Sequence, residues 1–266
     1  MAVTAPTNRW PTALVTGASS GIGLEMSRQL AADGSSLVIV ARTETALNEL
    51  AVELDHKHGT NVEILVADLS TSDGMTLVED RLTDRDRPVD LLVNNAGYGL
   101  NGGFWTRSAD EHQQMLELNV IALTRLARAA VKPMFERGRG GILNVSSISG
   151  FVPSYGYATY GASKSYVTSF TEVLHEELRG SGVHVSCLAP GFTRTQFQAT
   201  SGNEAEGLPD FMWQAADDVA RAGLAAVAKN RAVWVPGAKN QAMVGFLRLI
   251  PRPIQRRVAS RVVDQL

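Results

Sequence analysis

Short apolar runs alternate with longer amphipathic stretches along the chain. Each run is almost continuously apolar, as in strands that are covered on both faces of a parallel sheet. The pattern predicts strands at Thr12–Val15, Leu37–Ala41, Val62–Val66, Asp90–Val93, Ile142–Val145, Val183–Leu188 and Ala232–Val235. It predicts helices at Gly23–Ala32, Thr45–Lys57, Met75–Thr83, Glu111–Phe135, Tyr160–Arg179 and Asp217–Lys229. This alternation favours an α/β fold with a doubly wound parallel sheet and helices on both faces.

Composition narrows the class of protein. The chain has 266 residues, of which 44% are hydrophobic and 20% charged, and this suits one domain over residues 1–266. The net charge of −2 gives no positive field for a nucleic acid. No apolar run approaches the roughly 18 residues of an integral membrane segment. A single cysteine, Cys187, in an apolar run indicates a buried structural thiol, and with no apolar leader we expect a cytoplasmic protein.

Two segments break the alternation. Gln196–Trp213 combines Gly, Asn and Pro with aromatic residues, which favours a lid near a ligand over a plain surface connection. Residues 237–266 form a basic C-terminal tail, interrupted by two prolines. Its arginines are Arg248, Arg252, Arg256, Arg257 and Arg261. We expect the tail to pack on the domain or on a partner subunit, with contact to a membrane surface as the alternative.

A glycine-rich turn, TGASSGIG at Thr16–Gly23, lies between the first strand and the first helix. Its glycines permit a tight turn and a close approach to a pyrophosphate, and the helix offers unpaired N–H groups to that anion. The context favours a dinucleotide site over an ordinary turn. The predicted contacts are Gly17, Ser19, Ser20, Gly21, Ile22 and Gly23.

The end of the second strand indicates which dinucleotide binds. NAD sites commonly place an acid there for the ribose 2′-hydroxyl, but this strand ends at Arg42, with no acid before Glu44. The guanidinium suits a 2′-phosphate. We therefore predict NADP(H), the alternative being that Arg42 is a solvated charge at a helix start.

Polar residues also follow the third and fourth predicted strands. Asp68 is placed to accept from the adenine amino group, a role compatible with helix capping. Asn95, Ala96 and Gly97 lie at the same sheet edge, where open α/β sheets bind ligands. We interpret the adjacent Asn94 as mainly structural.

A tyrosine and a lysine are spaced for one helical face. Lys164 follows Tyr160 by four residues, so both side chains lie on the same side of a helix. A phenol is a poor base at neutral pH, and a nearby ammonium and the positive nicotinamide of an oxidised cofactor favour its ionised form. We therefore expect the pKa of Tyr160 to be lowered.

Two other polar residues are candidates for the same chemistry. Ser147 follows a strand and can polarise a carbonyl oxygen, although Ser146 competes for this role. Asn119 is polar within an apolar helical stripe, so it needs partners if buried. A water that links Asn119 to Lys164 would provide a proton path.

The chain resembles the compact short-chain dehydrogenase/reductase family over roughly residues 10–235, on the evidence of TGASSGIG, NNAG, Asn119, Ser147, YGASK at Tyr160–Lys164 and the Pro190-Gly191 pair. The resemblance implies a Rossmann-type fold and a catalytic tetrad. Its members here are Asn119, Ser147, Tyr160 and Lys164, and the comparison favours Ser147 over Ser146. It further implies that Lys164 binds the nicotinamide ribose, that Pro190 and Gly191 bind the cofactor, and that the segment after them holds the carboxamide through Thr193 and Thr195. It implies a homodimer or homotetramer built through the two longest helices.

The function expected from these residues is hydride transfer between nicotinamide and a carbonyl or secondary alcohol, with Tyr160 exchanging the proton. Aromatic residues favour an apolar substrate. They are Tyr98, Phe104, Trp105, Phe151, Tyr155, Phe197, Phe211 and Trp213, with Pro153 among them. A nucleotide-sugar epimerase or dehydratase, and a non-enzymatic NADP-sensing regulator, are the alternatives. The histidines show no metal spacing, so no metal is expected.

Overall fold

The computed structural model describes residues 9–153, 155–195 and 209–255, except for the side chain of Arg248. Within these ranges the chain forms a seven-stranded sheet in the order β3-β2-β1-β4-β5-β6-β7, and every neighbouring pair is parallel. The strands are β1 (Thr12–Thr16), β2 (Ser36–Ala41), β3 (Val62–Val66), β4 (Leu91–Asn94), β5 (Gly140–Val145), β6 (Val183–Leu188) and β7 (Val233–Trp234). The order reverses between β1 and β4, which confirms the doubly wound, Rossmann-type topology.

Eight α-helices are described between and after the strands. They are α1 (Gly21–Ala32), α2 (Glu44–His58), α3 (Ser72–Thr83), α4 (Ala109–Leu116), α5 (Leu123–Arg137), α6 (Ala158–Glu177), α7 (Ala216–Ala228) and α8 (Ala238–Leu249). A π-helical segment, Glu117–Ala122, joins α4 to α5. The sequence predicts one regular helix over Glu111–Phe135, and this is wrong because the π segment accommodates an extra residue in the turn.

Apolar side chains fill two cores, one on each face of the sheet. Along β1, Ala13 and Val15 belong to the core beneath α1, α2 and α7, whereas Leu14 belongs to the core beneath α3 and α5. This division follows from the strand period of two, which sends neighbouring side chains to opposite faces. Helices therefore cover both faces, as the continuous apolar runs predict.

Part of the predicted basic tail is a helix that packs on the sheet edge. Val244 in α8 is buried with Ala189 and Val235, and Ile148 and Phe151 pack against them. The tail residues Arg256, Arg257 and Arg261 lie outside the described residues, as do residues 196–208 of the predicted lid. In the part of the chain that is described, no helix is both long and apolar enough to span a bilayer.

Candidate active site

The switch point between β1 and β4 is organised by the hydroxyl group of Thr16. Its Oγ1 donates to the carbonyl oxygen of Val93 at 3.2 Å and accepts from the backbone N–H groups of Asn95 and Ala96, both at 3.0 Å. Thr16 is buried. This side chain therefore fixes the ends of the two strands where ligands of such sheets bind.

The glycine-rich turn closes against Asn95. The Nδ2 of Asn95 donates to the carbonyl oxygens of Thr16 (3.0 Å) and Gly17 (3.3 Å). A Cβ at Gly23 would lie 2.4 Å from both that Nδ2 and the Gly17 carbonyl oxygen, closer than any real Cβ contact. Only glycine therefore permits this turn. Gly17 and Gly21 have left-handed φ angles of 65° and 55°.

The start of α1 suits an anion. The side chain of Ser20, which precedes the helix, makes no capping hydrogen bond, so the first N–H groups are not satisfied by it. Ser19 and Ile22 are partly buried in the same turn. A Cβ at Gly21 would lie 3.1 Å from Cβ of Thr195, so that residue lies against the turn. A glycine cradle and a helix N-terminus together fit a pyrophosphate.

Arg42 and Asp68 lie at the ends of β2 and β3. Arg42 is exposed. Burial favours a higher pKa for Asp68, but hydrogen bonds from the Ser70 hydroxyl and backbone, together with the charge of Arg42, lower its pKa. Ser70 donates to Asp68 Oδ1 from its backbone N (2.9 Å) and its Oγ (2.7 Å). Thr71, rather than Asp68, caps α3.

Asn94 has the structural role that its position suggests. It is buried at the end of β4, and its Nδ2 donates to Asn144 Oδ1 at 3.0 Å and to the carbonyl oxygen of Leu123 at 3.3 Å. Its amide therefore ties β4 to β5 and to α5 beneath the site.

Tyr160 and Lys164 lie on one face of α6, both buried, with 7% and 5% of their surface exposed. The Nζ of Lys164 is 5.8 Å from the centroid of the Tyr160 ring. The Ser147 side chain is hydrogen-bonded to Tyr160. The helical spacing and the turn after β5 thus bring these three groups together, as the sequence predicts.

The expected acidity of Tyr160 is not found. Burial raises the pKa of Tyr160 to about 12, against an opposing effect of the Ser147 hydrogen bond. Burial also lowers the pKa of Lys164 to about 8. Desolvation disfavours both charged forms and is the largest cause of both shifts. The protein groups alone therefore do not produce the lowered pKa of Tyr160 that is expected from the ammonium together with an oxidised nicotinamide.

The two adjacent serines differ in what their hydroxyl groups contact. Ser146 Oγ donates to the carbonyl oxygen of Lys164 at 2.8 Å and is 2.8 Å from Thr168 Oγ1, so it serves the packing of α6. Ser147 Oγ accepts from the backbone N–H of Ser149 at 3.2 Å and also reaches Tyr160. This arrangement favours Ser147 for contact with a substrate.

Asn119 lies in the π-helical segment and is 1% exposed. Its Nδ2 donates to the carbonyl oxygen of Tyr98 (2.8 Å) and to Ser163 Oγ (3.3 Å), and its Oδ1 accepts from the N–H of Tyr98 (3.1 Å). A Cβ at Gly97 would lie 2.9 Å from Asn119 Oδ1 and 3.5 Å from Lys164 Nζ. Asn119 therefore fixes the strand end beside Lys164.

The Pro190-Gly191 pair joins the site from β6. The carbonyl oxygen of Pro190 accepts from the N–H of Ile148 at 3.0 Å, next to Ser147. Thr193 is buried, and its Oγ1 donates to the carbonyl oxygen of Gly191 at 3.0 Å. The backbone of this segment pairs with Gln214, a residue that the sequence analysis missed because nothing local distinguishes it.

The aromatic residues proposed to line a substrate pocket differ in their exposure and packing. Large aromatic side chains are exposed at Phe104, Trp105, Tyr155 and Phe211. Phe151 instead packs into the cluster beneath α8. Trp213 contacts Phe192, with ring centroids 5.7 Å apart and ring planes tilted by 55°. Phe197 lies outside the described residues.

Comparison with known proteins is consistent with this geometry. A family model described as short chain dehydrogenase matches residues 11–206. Sulfoacetaldehyde reductase 2 of Chromohalobacter salexigens is 37% identical over 72% of this chain and 77% of that protein. A short-chain dehydrogenase from Sphingobium yanoikuyae in complex with NADPH is 35% identical, with a TM-score of 0.81 over 91% of this chain and 96% of that one. A bulky-bulky ketone specific alcohol dehydrogenase from Comamonas testosteroni is 32% identical, with a TM-score of 0.78 over 92% and 96%.

Proposed function

Because the chain belongs to the short-chain dehydrogenase/reductase family of nicotinamide-dependent oxidoreductases, we propose that it is an NADP(H)-dependent enzyme acting on the carbonyl or secondary alcohol of a small apolar substrate. The observation that carries the proposal is the group formed by Tyr160, Lys164 and Ser147 at the sheet edge that bears the glycine turn. The similar proteins named above are reductases and dehydrogenases, which does not favour an epimerase or a regulator.

The turn and the strand ends would hold the dinucleotide. Its pyrophosphate fits the open backbone of the turn and the start of α1. Asp68 would accept from the adenine amino group, and Asn95, Ala96 and Gly97 would contact the dinucleotide at the carboxyl end of β4. Lys164 would bind the nicotinamide ribose. Pro190 and Gly191 would contact the cofactor, and Thr193 and Thr195 would hold the carboxamide.

NADP(H) is proposed over NAD(H) on account of Arg42. Similar family members have been solved with NADPH and with NAD, so family membership does not choose between them. Arg42 is exposed directly after β2 and close enough to Asp68 to affect the pKa of that carboxyl group. A guanidinium at that place can pair with a 2′-phosphate, which NAD lacks.

Tyr160 is proposed as the proton donor to the substrate oxygen. When bound, the dinucleotide supplies or accepts the hydride at the substrate carbon. In the reducing direction, the Tyr160 hydroxyl gives its proton to the carbonyl oxygen while the Ser147 hydroxyl donates a hydrogen bond to that oxygen. Lys164, with a pKa of about 8, can then return a proton to the phenolate. Burial raises the pKa of Tyr160 to about 12, so the phenol holds the proton that reduction requires.

The substrate class is proposed from the exposed aromatic side chains at Phe104, Trp105, Tyr155 and Phe211. They belong to the connections that follow β4, β5 and β6, at the carboxyl ends of the strands, where such sheets bind ligands. Such surfaces bind apolar groups and exclude strongly charged ones. The ketone specificity named for the Comamonas testosteroni relative supports this choice.

We also expect a homodimer or homotetramer. Apolar side chains are exposed on the long helices, at Ile121 and Phe135 around α5 and at Tyr166 and Val173 on α6. Burying them against a second copy would be favourable at about 25 cal/mol per Å². Light scattering across a concentration series measures the assembly.

A substrate panel tests the proposed function. Bulky ketones, short aldehydes and a sulfonated aldehyde are assayed with NADPH and with NADH, following oxidation of the nicotinamide. We expect the highest kcat/KM for a bulky ketone with NADPH. Preference for the sulfonated aldehyde would contradict the apolar substrate, and turnover with none of them would contradict the proposed function.

A further inference from the structure

The segment after β6 is fastened to a residue far along the chain. Gln214 pairs with Thr193 as an isolated parallel bridge. Its N–H donates to the carbonyl oxygen of Phe192, and its carbonyl oxygen accepts from the N–H of Arg194, both at 2.9 Å. Residues 192–194 and Gln214, which are far apart in sequence, are therefore hydrogen-bonded to each other just after the end of β6.

The side chain of Gln214 is in turn held by α8. Asn240 Nδ2 donates to Gln214 Oε1 at 2.9 Å and to the carbonyl oxygen of Pro236 at 3.1 Å. An amide NH₂ group has two hydrogens, so both bonds form at once. Asn240 is half-buried. The hydrogen bonds leave this amide with one orientation.

Two glycines make the space for these amides. A Cβ at Gly191 would lie 2.6 Å from Asn240 Nδ2, and a Cβ at Gly237 would lie 2.7 Å from Gln214 Nε2. A side chain at either position would displace the pair. The amides of Asn240 and Gln214 therefore lie directly against the backbone at Gly191 and Gly237.

The helix that carries Asn240 is fixed to the catalytic turn. Val244 in α8 is buried against Ala189 and Val235, and Ile148 packs against the same cluster. Ile148 follows Ser147 directly, and its N–H donates to the carbonyl oxygen of Pro190. The position of Asn240 is thereby tied to that of Ser147.

We propose that Asn240 is a positioning residue, which acts through Gln214 to hold the Gly191–Thr195 segment in the conformation that receives the nicotinamide. The inference rests on the proposed function, because it needs a dinucleotide in the cleft. Without the Asn240 amide, the Gln214 side chain loses the hydrogen bond that fixes it to α8. The backbone bridge from Gln214 to the segment is then less restrained, so forming the nicotinamide site costs more conformational freedom on binding.

The variants are Asn240→Ala, Gln214→Ala and the double variant, with Gln241→Ala as the matched control. Gln241 is the next residue on the same helix, and its Nε2 donates to the carbonyl oxygen of Val235 at 2.8 Å. Its substitution therefore removes a comparable side-chain bond that does not reach Gln214. Circular dichroism and thermal unfolding establish folding for each protein.

We expect Asn240→Ala to raise KM for NADPH by about fivefold to tenfold, the effect of losing one hydrogen bond, while Gln241→Ala changes it less than about twofold. The KM of the double variant for NADPH should be no higher than that of the more affected single variant, because the two residues act on one contact. If Asn240→Ala does not fold, Gln214→Ala removes the same bond from the other side.

Equal KM values for Asn240→Ala and Gln241→Ala, or additive effects in the double variant, would overturn the inference. Binding of NADPH is also measured directly by protein fluorescence in the unsubstituted protein. Absence of binding there would overturn the proposed function, and the role of Asn240 with it, whereas normal binding with an unaffected Asn240→Ala variant would overturn the role of Asn240 only.

Discussion

The Nζ of Lys164 donates a hydrogen bond to the carbonyl oxygen of Val145 at 3.0 Å. Val145 is the last residue of β5, two residues before Ser147, so the bond ties the helix of Tyr160 to the strand that presents the serine. The ammonium thus has a fixed place beneath the ring. It is nevertheless buried, and this burial has a measurable consequence.

Replacing Lys164 with Met should alter how stability depends on pH. The pKa of Lys164 is about 8, against 10.5 for an ordinary lysine, so above pH 8 the unfolded chain keeps a proton that the folded protein has lost. Stability due to this residue therefore rises with pH in that window. Relative to Lys164→Met, the free energy of unfolding of the unsubstituted protein should increase by about 2 kcal/mol between about pH 8 and about pH 10.

Urea unfolding of both proteins without dinucleotide, at several pH values, measures this difference. Tyr160 titrates above the window in the folded state, with a pKa of about 12. Parallel stability curves for the two proteins would show that the amine of Lys164 is not desolvated as described.

Gly23→Ala should abolish dinucleotide binding, because the new Cβ would lie 2.4 Å from Asn95 Nδ2 and from the Gly17 carbonyl oxygen. Gly245→Ala is the control, since a Cβ there meets nothing within 4 Å in α8. An alanine in that helix should stabilise the protein by up to about 1 kcal/mol. Calorimetric titration with NADPH compares the two variants. Normal NADPH binding by a folded Gly23→Ala protein would contradict the role of the glycine-rich turn in binding the dinucleotide.

The strands and most helices were predictable from the sequence because their signals are local. The continuous apolar runs identified all seven strands, and the four-residue spacing correctly placed Tyr160 and Lys164 on one face. The π-helical turn around Asn119 was not predictable, because one extra residue in a helix leaves the apolar stripe nearly unchanged.

Arg42→Ala should weaken the binding of NADPH far more than the binding of NADH. Losing a charge-assisted bond to the 2′-phosphate should raise KM for NADPH by about tenfold to a hundredfold and leave KM for NADH within about threefold. Arg85→Ala, which removes an exposed arginine paired with Glu136, is the control. Steady-state kinetics with both dinucleotides decides. An equal rise in KM for the two dinucleotides would mean that Arg42 does not bind the 2′-phosphate.

Interactions between distant parts of the chain escaped the sequence analysis for a different reason. Asn240 and Gln214 are 26 residues apart, and neither stands in a pattern that local spacing can reveal. The pKa of Tyr160 depends on how completely the fold removes water from the phenol, and desolvation reversed the direction expected from the nearby amine. Contacts between distant residues and the effect of burial on a pKa become visible only in the packed structure.

The proton-donor role of Tyr160 is tested most directly by Tyr160→Phe, with Tyr157→Phe as the control because the ring of Tyr157 lies 5.8 Å from that of Tyr160. Single-turnover reduction of the best ketone and NADPH binding are measured on both variants. We predict that Tyr160→Phe binds NADPH within about threefold of the unsubstituted protein and loses turnover by about a thousandfold or more, while Tyr157→Phe keeps turnover within about threefold. Undiminished turnover by Tyr160→Phe would contradict the account.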